Sequence, residues 1–320
     1  MTTIKKINNS NIKLAVKALN EGNLISFPTE TVYGLGGDAT NDLAIAKIFE
    51  TKNRPKFNPL IIHFSSFDQI EKNCEINDEV RKLNTLFWPG PMTIILKKKK
   101  DSKICDLASA GLNTIGVRIP ENKSALKLIE LFKKPLAAPS ANKSLSLSPT
   151  KASHVFEYFE NDKNLSIILD DGPTKIGLES TILNLIGNEI HVLRHGGLSL
   201  DELRKNFPLK LIIDEQNSKN RILAPGMLKK HYSPNVPLRI NAKKAKNNEL
   251  LIGFGPNYNS PNLSFKGDLV EAASNLFSFL AKYQKKYPRI AIAPIPEEGI
   301  GKAINDRIKR ASKNKAVGNL

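Results

Sequence analysis

The sequence predicts an α/β protein, built from an open twisted mixed sheet followed by a small Rossmann-like α/β domain. Three observations support this prediction. Short apolar runs typical of strands are interleaved with segments of helical periodicity, these runs are densest near the middle of the chain, and a β-α-β-α order returns after residue 247. The 320 residues are 40% hydrophobic and 25% charged, which suits one large or two ordinary globular domains.

The first domain, expected over residues 1–207, opens with a helix, because Ile12, Val16 and Leu19 recur on one helical face. A second helix is expected over 42–50, with Asn41 or Asp42 as its cap. PLAAPSAN (135–142) leaves a strand for a loop. Further strands are predicted at 23–28, 59–64, 92–96, 114–120, 166–172, 180–187 and 189–196.

The periodicity of apolar residues is lost after about residue 215. The segment EQNSKNRILAPGMLKKHYSPNVP has neither helical nor strand periodicity and contains three prolines. We therefore expect an extended linker over 208–247 that reaches back to the first domain. In the second domain, 248–320, strands are predicted at 250–255 and 289–295. A helix capped by Asp268 should run from 269 to about 287, and Ile300, Ile304 and Ile308 mark a last helix.

The formal net charge is +17, and residues 238–320 account for +9 of it, from 15 basic and 6 acidic side chains. A biased surface composition and a polyanionic partner such as RNA both remain open. Cys74 and Cys105 cannot form a C-x-x-C site, so a reducing cytoplasmic setting is expected. We expect neither a signal peptide nor a membrane helix, since no apolar run approaches ~20 residues.

Several common catalytic motifs are absent from the sequence. There is no P-loop, nucleophile elbow or H-E-x-x-H motif, and the five histidines show no zinc spacing. GFGPNY (253–258) and GIGK (299–302) are too short for a dinucleotide fingerprint and are interpreted as turns. Phosphate chemistry here would therefore use side-chain cations, backbone amides and Mg²⁺, with no metal ligand assigned to the protein.

Polar clusters follow the predicted strands. In PTETVYGLGGDA (28–39), hydrogen-bonding side chains precede three glycines, which suggests a ligand loop more than a plain turn. In TKNRPKFNPLIIH (51–63), Lys52 and Arg54 are expected to point the same way in an extended segment and to suit a triphosphate, whereas His63 alone is more often structural. Thr114 and Arg118 share one strand face, and a buried Arg118 requires a carboxylate ligand or an internal Asp or Glu.

These motifs together resemble a known family. PTETVYGLGGDA, K-x-R-P-x-x-N-P-L (52–60), PSAN (139–142), SPT (148–150) and ESTIL (179–183) are similar to the YrdC-like domain of threonylcarbamoyl-AMP synthases. APGMLKKHYSP (224–234) and IGFGP (252–256) resemble the longer, two-domain form of these enzymes. Departures from the family pattern are small: His195 stands where Pro usually follows the arginine, Asp171 where Gly is usual, and Gly116 where Ala is usual.

The resemblance implies a nucleotidyltransferase that forms L-threonylcarbamoyladenylate and pyrophosphate from threonine, bicarbonate and ATP with Mg²⁺. The product would serve N6-threonylcarbamoylation of adenosine 37 in tRNA through a downstream transferase complex. Lys52 and Arg54 would be catalytic. The residues implied for threonine are Thr31, His63, Arg118, Ala138 and Ser180, and those implied for ATP are Lys52, Arg54, Asn58, Thr114, Ser140, Asn142, Ser148, Arg194 and Tyr232.

The mechanism expected from these residues is catalysis by positioning and electrostatics, because the sequence offers no obvious covalent nucleophile. His63 is a candidate proton acceptor, and Tyr232 a candidate lid, with a plain spacer as the alternative. A different class of function also fits the basic composition, namely an RNA-binding module that makes no adenylate. A third possibility is carbamoyl transfer to a different amine.

Overall fold

The computed structural model describes residues 2–213 and 232–313, and within these ranges the chain forms nine helices and fourteen strands. The helices are α1 (Asn9–Asn20), α2 (Asp42–Lys52), α3 (Phe67–Asn73), α4 (Asp78–Phe87), α5 (Lys123–Phe132), α6 (Ala152–Phe159), α7 (Leu200–Asn206), α8 (Leu269–Tyr283) and α9 (Gly301–Ala311). The strands are β1 (Thr3–Lys6), β2 (Leu24–Pro28), β3 (Tyr33–Asp38), β4 (Ile61–His63), β5 (Met92–Lys97), β6 (Thr114–Arg118), β7 (Leu136–Ala137), β8 (Leu165–Asp170), β9 (Thr181–Ile186), β10 (Glu189–Arg194), β11 (Lys210–Ile213), β12 (Leu238–Arg239), β13 (Leu250–Ile252) and β14 (Ile290–Ile292).

The first eleven strands form one open sheet in the order β1-β8-β2-β3-β7-β4-β6-β5-β9-β10-β11. The sheet is mixed. β4 pairs with β6 in parallel and β5 with β9 in parallel, whereas β2 and β3, β5 and β6, and β9 and β10 pair antiparallel. The predicted open mixed sheet is thereby confirmed.

Helices cover the sheet on two sides, because successive residues of a strand point to opposite faces. On β2, Leu24 joins a core with Ile45 and Ile48 of α2. The next residue, Ile25, joins a different core that contains Ile12 and Leu19 of α1 and Leu128 and Ile129 of α5. The polar ends of the central strands are therefore held between two packed layers.

The small C-terminal sheet has the order β12-β14-β13, and both of its strand pairs are parallel. Ile252, Ile290 and Ile292 of this sheet share a core with α8 and α9, which includes Leu276, Phe277 and Ile304. Leu147 and Leu178 of the large domain belong to the same core. The two domains are therefore packed against each other through apolar side chains.

Most predicted elements are present. Asn41 and Asp268 accept hydrogen bonds at the starts of α2 and α8 as expected, although α8 ends at Tyr283 rather than near 287. The expectation that Lys52 and Arg54 lie in one extended segment is wrong: Lys52 ends α2, and Asn53 closes it in a left-handed conformation at φ 49°. The helix continues past 50 because Phe49, Thr51 and Lys52 are buried against the rest of the domain.

The predicted linker is described only at its two ends, since 214–231 lie outside the described residues. The predicted APGMLKKHYSP motif lies mostly in that range, and the last residues of the basic tail, beyond 313, also lie outside the described residues. Among the described residues, no helix is long and apolar enough to cross a membrane.

Candidate active site

A cavity of about 50 Å³ lies where several segments of the large domain meet the connector. The loop between β2 and β3 forms one wall, the ends of β4 and β6 a second, and the loop after β7 a third. The segment before β9, the end of β10 and the connector complete it. The sequence-predicted residues that line it are Thr31, Arg54, His63, Arg118, Ala138, Ser140, Ser180, Arg194 and Tyr232.

Arg118, at the end of β6, forms a buried ion pair with Glu30, and both side chains are less than 5% exposed. Its Nη1 donates to Thr31 Oγ1 at 2.9 Å, and its Nε donates to the Gly90 carbonyl at 3.3 Å. Glu30 also accepts from the Glu121 amide at 3.0 Å. The internal carboxylate that a buried Arg118 requires is therefore Glu30, and the guanidinium keeps donor positions on the cavity side.

Ser180 and Arg194 form a second hydrogen-bonded group. Arg194 donates from Nε and Nη2 to the Ser180 carbonyl at 3.0 and 2.8 Å, and from Nη2 to Ser180 Oγ at 3.0 Å. Ser180 Oγ lies 2.7 Å from Thr93 Oγ1 on β5. These contacts fix a hydroxyl and a guanidinium side by side on the cavity wall.

His63 ends β4 and is fully enclosed, with its ring edge-on to Phe27 at 6.2 Å between centroids. Its Nδ1 is one of the few buried polar atoms in the described chain that have no hydrogen-bond partner. Burial, reinforced by the positive charge of Arg118, lowers the pKa of His63 to about 3. The ring is therefore neutral near pH 7 and can exchange a hydrogen bond with a ligand.

A second cavity of about 200 Å³ adjoins the first, and Arg54 and Ser140 line both. Its other walls include Lys52, Asn58 and Asn142. Lys52 Nζ donates to the carbonyls of Ser140 and Asn142, the latter at 2.5 Å. Arg54 donates to the carbonyls of Asn58 and Pro59 at 3.1 and 2.8 Å.

The cations here are crowded. Burial, followed by the charges of Arg54 and Lys143, lowers the pKa of Lys52 well below its ordinary value. Burial and the neighbouring Arg194 likewise lower the pKa of Arg54. Positive groups that disfavour one another in this way favour an anionic ligand.

Glu179 is the carboxylate nearest to these cations among the residues that line the two cavities. It accepts a hydrogen bond from the Ser148 hydroxyl. It also forms an ion pair with Arg307 of α9, whose Nε donates to Glu179 Oε2 at 2.8 Å. Burial opposes its ionisation, but the charges of Arg307 and Arg194 lower the pKa of Glu179 to about 2. Ser148 thus reaches the site through Glu179 rather than by lining a cavity.

Thr114 is the predicted site residue that the fold does not bring to the cavities. It begins β6, pairs with Lys97 and is only partly buried, whereas Arg118 ends the same strand. No cluster of three or more His, Cys, Asp or Glu side chains that could hold a metal is present among the described residues.

Three residues at the site, Glu30, Glu179 and Arg307, are not predicted from the sequence. Glu30 and Glu179 stand inside the polar motifs, but their partners lie 88 and 128 residues away. Arg307 had a local signal, because it falls on the apolar stripe of α9 between Ile304 and Ile308. A charged residue at such a position indicates a buried partner.

Two protein-family models match the chain. The model described as "Telomere recombination" matches residues 17–196, and the model described as "Threonylcarbamoyl-AMP synthase, C-terminal domain" matches residues 198–313. Together they span both domains of the fold.

Relatives match over nearly the full length. The threonylcarbamoyl-AMP synthase of Pyrococcus abyssi is 38% identical over 96% of each chain, and that of Bacillus subtilis is 32% identical over 97% of this chain and 95% of its own. The crystal structure of P. abyssi Sua5 complexed with L-threonine superposes with a TM-score of 0.86 at 35% identity, covering 98% of this chain and 97% of that one.

Proposed function

Because this chain belongs to the two-domain, Sua5-type threonylcarbamoyl-AMP synthases, we propose that it makes L-threonylcarbamoyladenylate and pyrophosphate from L-threonine, bicarbonate and ATP. The product serves N6-threonylcarbamoylation of adenosine 37 in tRNA. The observation that carries the proposal is that the cavity lined by Arg118 shares Arg54 and Ser140 with a second cavity lined by Lys52, so a carboxylate-binding guanidinium lies close to a group of buried cations.

Threonine is assigned to the first cavity. The free donor positions of Arg118 suit the planar carboxylate, because a guanidinium can hold both oxygens at once. Thr31, Ser180, His63 and the backbone at Ala138 surround that position and offer partners for the amine and the hydroxyl. A site that hydrogen-bonds a substrate hydroxyl can reject analogues that lack it by up to ~10⁴-fold.

ATP is assigned to the boundary between the two cavities. Arg54 and Ser140 line both of them, so a phosphate chain can cross from one to the other. Lys52, Asn58 and Asn142 would hold its distal part, with Arg194 and Tyr232 on the threonine side and Ser148 acting through Glu179. The family pattern also implies that Thr114 binds ATP. Thr114 lines neither of the two cavities, so this role rests on the family pattern alone.

The reaction then needs two steps. The threonine amine attacks CO₂, formed from bicarbonate, and loses a proton to give a carbamate. A carbamate oxygen attacks the α-phosphorus of ATP, and the bond to the pyrophosphate oxygen breaks. Lys52 and Arg54 stabilise the charge that develops on the phosphates. We assign His63 to hydrogen bonding rather than proton transfer, since its pKa lies far below 7.

Several finer points belong to the same proposal. Mg²⁺ would arrive with ATP and be held by its phosphates. We retain the division into 1–207, a linker over 208–247 and a Rossmann-like domain over 248–320. We also propose a cytoplasmic location, a downstream transferase complex as partner and contact with tRNA or another RNA.

The proposal is tested by pyrophosphate release from MgATP, with threonine and bicarbonate omitted in turn. Release that requires both compounds is the expected result. Release without threonine would indicate a different acceptor or a plain ATPase. No release from folded protein that binds RNA in a salt-dependent manner would favour the RNA-binding alternative.

Arg54→Ala should lower kcat by ~10²–10³-fold, the usual effect of removing one preorganised contact to developing charge. Lys56→Ala is the matched control, because Lys56 is exposed and lies two residues away in the same loop. A folded Arg54→Ala protein with a kcat close to that of Lys56→Ala would contradict the assignment. Circular dichroism verifies that both variants are folded.

A further inference from the structure

Arg307 is a charged residue on the apolar face of α9 in the small domain. Its side chain is 0% exposed, and Ile304, Ile308 and Ala311 pack on the same face. A buried guanidinium is costly unless its hydrogen-bonding groups are satisfied. The partners of Arg307 therefore reveal what the side chain is placed to hold.

Three of those partners belong to the large domain or the connector. Arg307 Nε donates to Glu179 Oε2 at 2.8 Å, and Nη2 donates to the His195 carbonyl at 2.9 Å. The guanidinium carbon lies 4.7 Å from the ring centroid of Tyr232, within range of a cation–π contact. The fourth partner, Asp306, is its neighbour on α9 and accepts from Nη1 at 2.7 Å.

The large-domain and connector partners of Arg307 lie at the wall of the first cavity. Glu179 and Tyr232 line it directly, and His195 follows Arg194, which also lines it. Arg307 itself does not line the cavity. It can therefore influence a ligand only through the residues it holds.

Glu179 places a negative charge on the wall of the cavity. This carboxylate stands next to Arg194, in a cavity whose other charges are cationic. Left without Arg307, it would repel phosphates and compete with them for Arg194. Paired with Arg307 and Ser148, its charge is neutralised and its oxygens are fixed.

We propose that Arg307 is a positioning residue through which the small domain prepares the nucleotide side of the active site. It neutralises Glu179 beside Arg194 and holds the His195 carbonyl and the Tyr232 ring. This inference rests on the proposed function and adds to it a role for the C-terminal domain in ATP binding. Arg307 makes no contact with Arg118, so the effect on threonine binding should be smaller than the effect on ATP binding.

The test measures KM for ATP and for threonine in pyrophosphate release, together with ATP binding by calorimetry. Arg307→Ala should raise KM and Kd for ATP at least ~10-fold, since the buried Glu179 carboxylate would lose its ion-pair partner and repel the phosphates. KM for threonine should stay within about 3-fold. Lys309→Ala, on the same helix with a side chain 54% exposed, is the matched control and should leave all constants unchanged.

A second variant separates positioning from simple support of the fold. Adding Glu179→Gln to Arg307→Ala removes the unpaired charge, so it should recover most of the lost ATP affinity. A structural role for Arg307 predicts that both KM values rise together and that the double variant is no better than the single one. Either of those results, or an unchanged KM for ATP in Arg307→Ala, would overturn the proposal.

Two outcomes require a further measurement, namely a misfolded Arg307→Ala variant and an inactive wild-type protein. If Arg307→Ala does not fold, Arg307→Lys keeps the charge but loses the planar fork, and a rise in Kd for ATP is again expected. If the wild-type protein releases no threonine-dependent pyrophosphate, the proposed function fails. The calorimetric Kd for ATP of the same variants then still decides the role of Arg307.

Discussion

Arg118 shares its guanidinium between fixed protein partners and the open cavity. Glu30, Thr31 and the Gly90 carbonyl each take one of its N–H groups, which sets the plane in which the remaining groups can bind. Preorganisation of this kind lowers the cost of ordering the site when a carboxylate arrives. The same arrangement makes the site sensitive to a substitution that keeps the positive charge but loses the planar guanidinium with its paired N–H donors.

Arg118→Lys should therefore raise KM for threonine by ~10–100-fold, because a charge-assisted hydrogen bond of about 1.5–3 kcal/mol is lost. KM for ATP should hardly change. The exposed pair of Arg204 with Asp201 offers a control, since Arg204→Lys alters a surface ion pair far from the cavity. Steady-state kinetics with each substrate varied in turn makes the comparison. Equal effects on both KM values would argue against carboxylate binding by Arg118.

His63 gives the stability of the protein a dependence on pH. Its pKa is about 3 in the folded chain and 6.5 in the unfolded chain, so between these values the unfolded state binds the extra proton. Stability is therefore lost as the pH falls below 6.5, by on the order of 2 kcal/mol between pH 7 and pH 5. Above about pH 7.5, where the imidazole of the unfolded chain is also largely deprotonated, the group contributes almost no pH dependence.

His63→Gln should remove this contribution to the pH dependence of the free energy of unfolding. Urea unfolding at pH 5 and pH 7 measures it. All other titrating groups are common to both proteins, so the difference isolates His63. Identical slopes in the two proteins would show that the ring is accessible to protons when folded. In the wild type, no inflection of kcat near 6.5 is expected from this residue.

At the scale of the elements, β9 and β10 bring two motifs into direct contact. A Cβ added at Gly196, just after β10, would lie 2.3 Å from the Glu179 carbonyl oxygen and the Ser180 carbonyl carbon. Both are backbone atoms and cannot turn aside. The absence of a side chain at position 196 therefore lets the Glu179–Ser180 segment lie against the strand that carries Arg194.

Gly196→Ala should cost more than about 4 kcal/mol, or prevent folding, because it displaces that segment. Gly187→Ala is the comparison: its added Cβ meets nothing within 4 Å, so only the left-handed φ of 57° is penalised, by about 1–2 kcal/mol. Urea unfolding measures both. A Gly196→Ala protein as stable as Gly187→Ala would show that the two segments can move apart freely.

At the scale of the whole molecule, the two domains are joined by a tight apolar contact. Leu178 is 0% exposed and belongs to the core of the small domain although it comes from the large one. At the neighbouring Gly177, an added Cβ would lie 2.6 Å from the Cα of Ser274 on α8. Such close packing should make the domains unfold together.

The wild-type protein should accordingly show coincident unfolding by far-ultraviolet circular dichroism and by tryptophan fluorescence, which reports Trp88 of the large domain alone. Leu178→Ala should cost about 2–5 kcal/mol and let the small domain unfold first, so that the two transitions separate. Leu86→Ala, at an exposed position on α4, should leave both transitions in place. Separate transitions in the wild type would contradict the prediction.

Much of the large domain follows from local sequence. The strands at 92–97, 114–118 and 181–186 and the helix cap at Asn41 were predictable, as was the cap at Asp268 in the small domain, because side-chain period and capping depend on residues a few positions apart. The end of α2 at Lys52 was not, because burial of Phe49 and Thr51 against distant parts of the chain extends the helix.

The sequence by itself determined the order of secondary structure, the motifs and the membership of one family. Tertiary structure alone decided which charges meet: Glu30 with Arg118 across 88 residues, and Glu179 with Arg307 across 128 and across two domains. It also placed the cavity at the Arg118 end of β6 and not at the Thr114 end. The physical reason is that pairing of buried charges depends on the path of the whole chain, whereas helix and strand periods depend only on neighbouring residues.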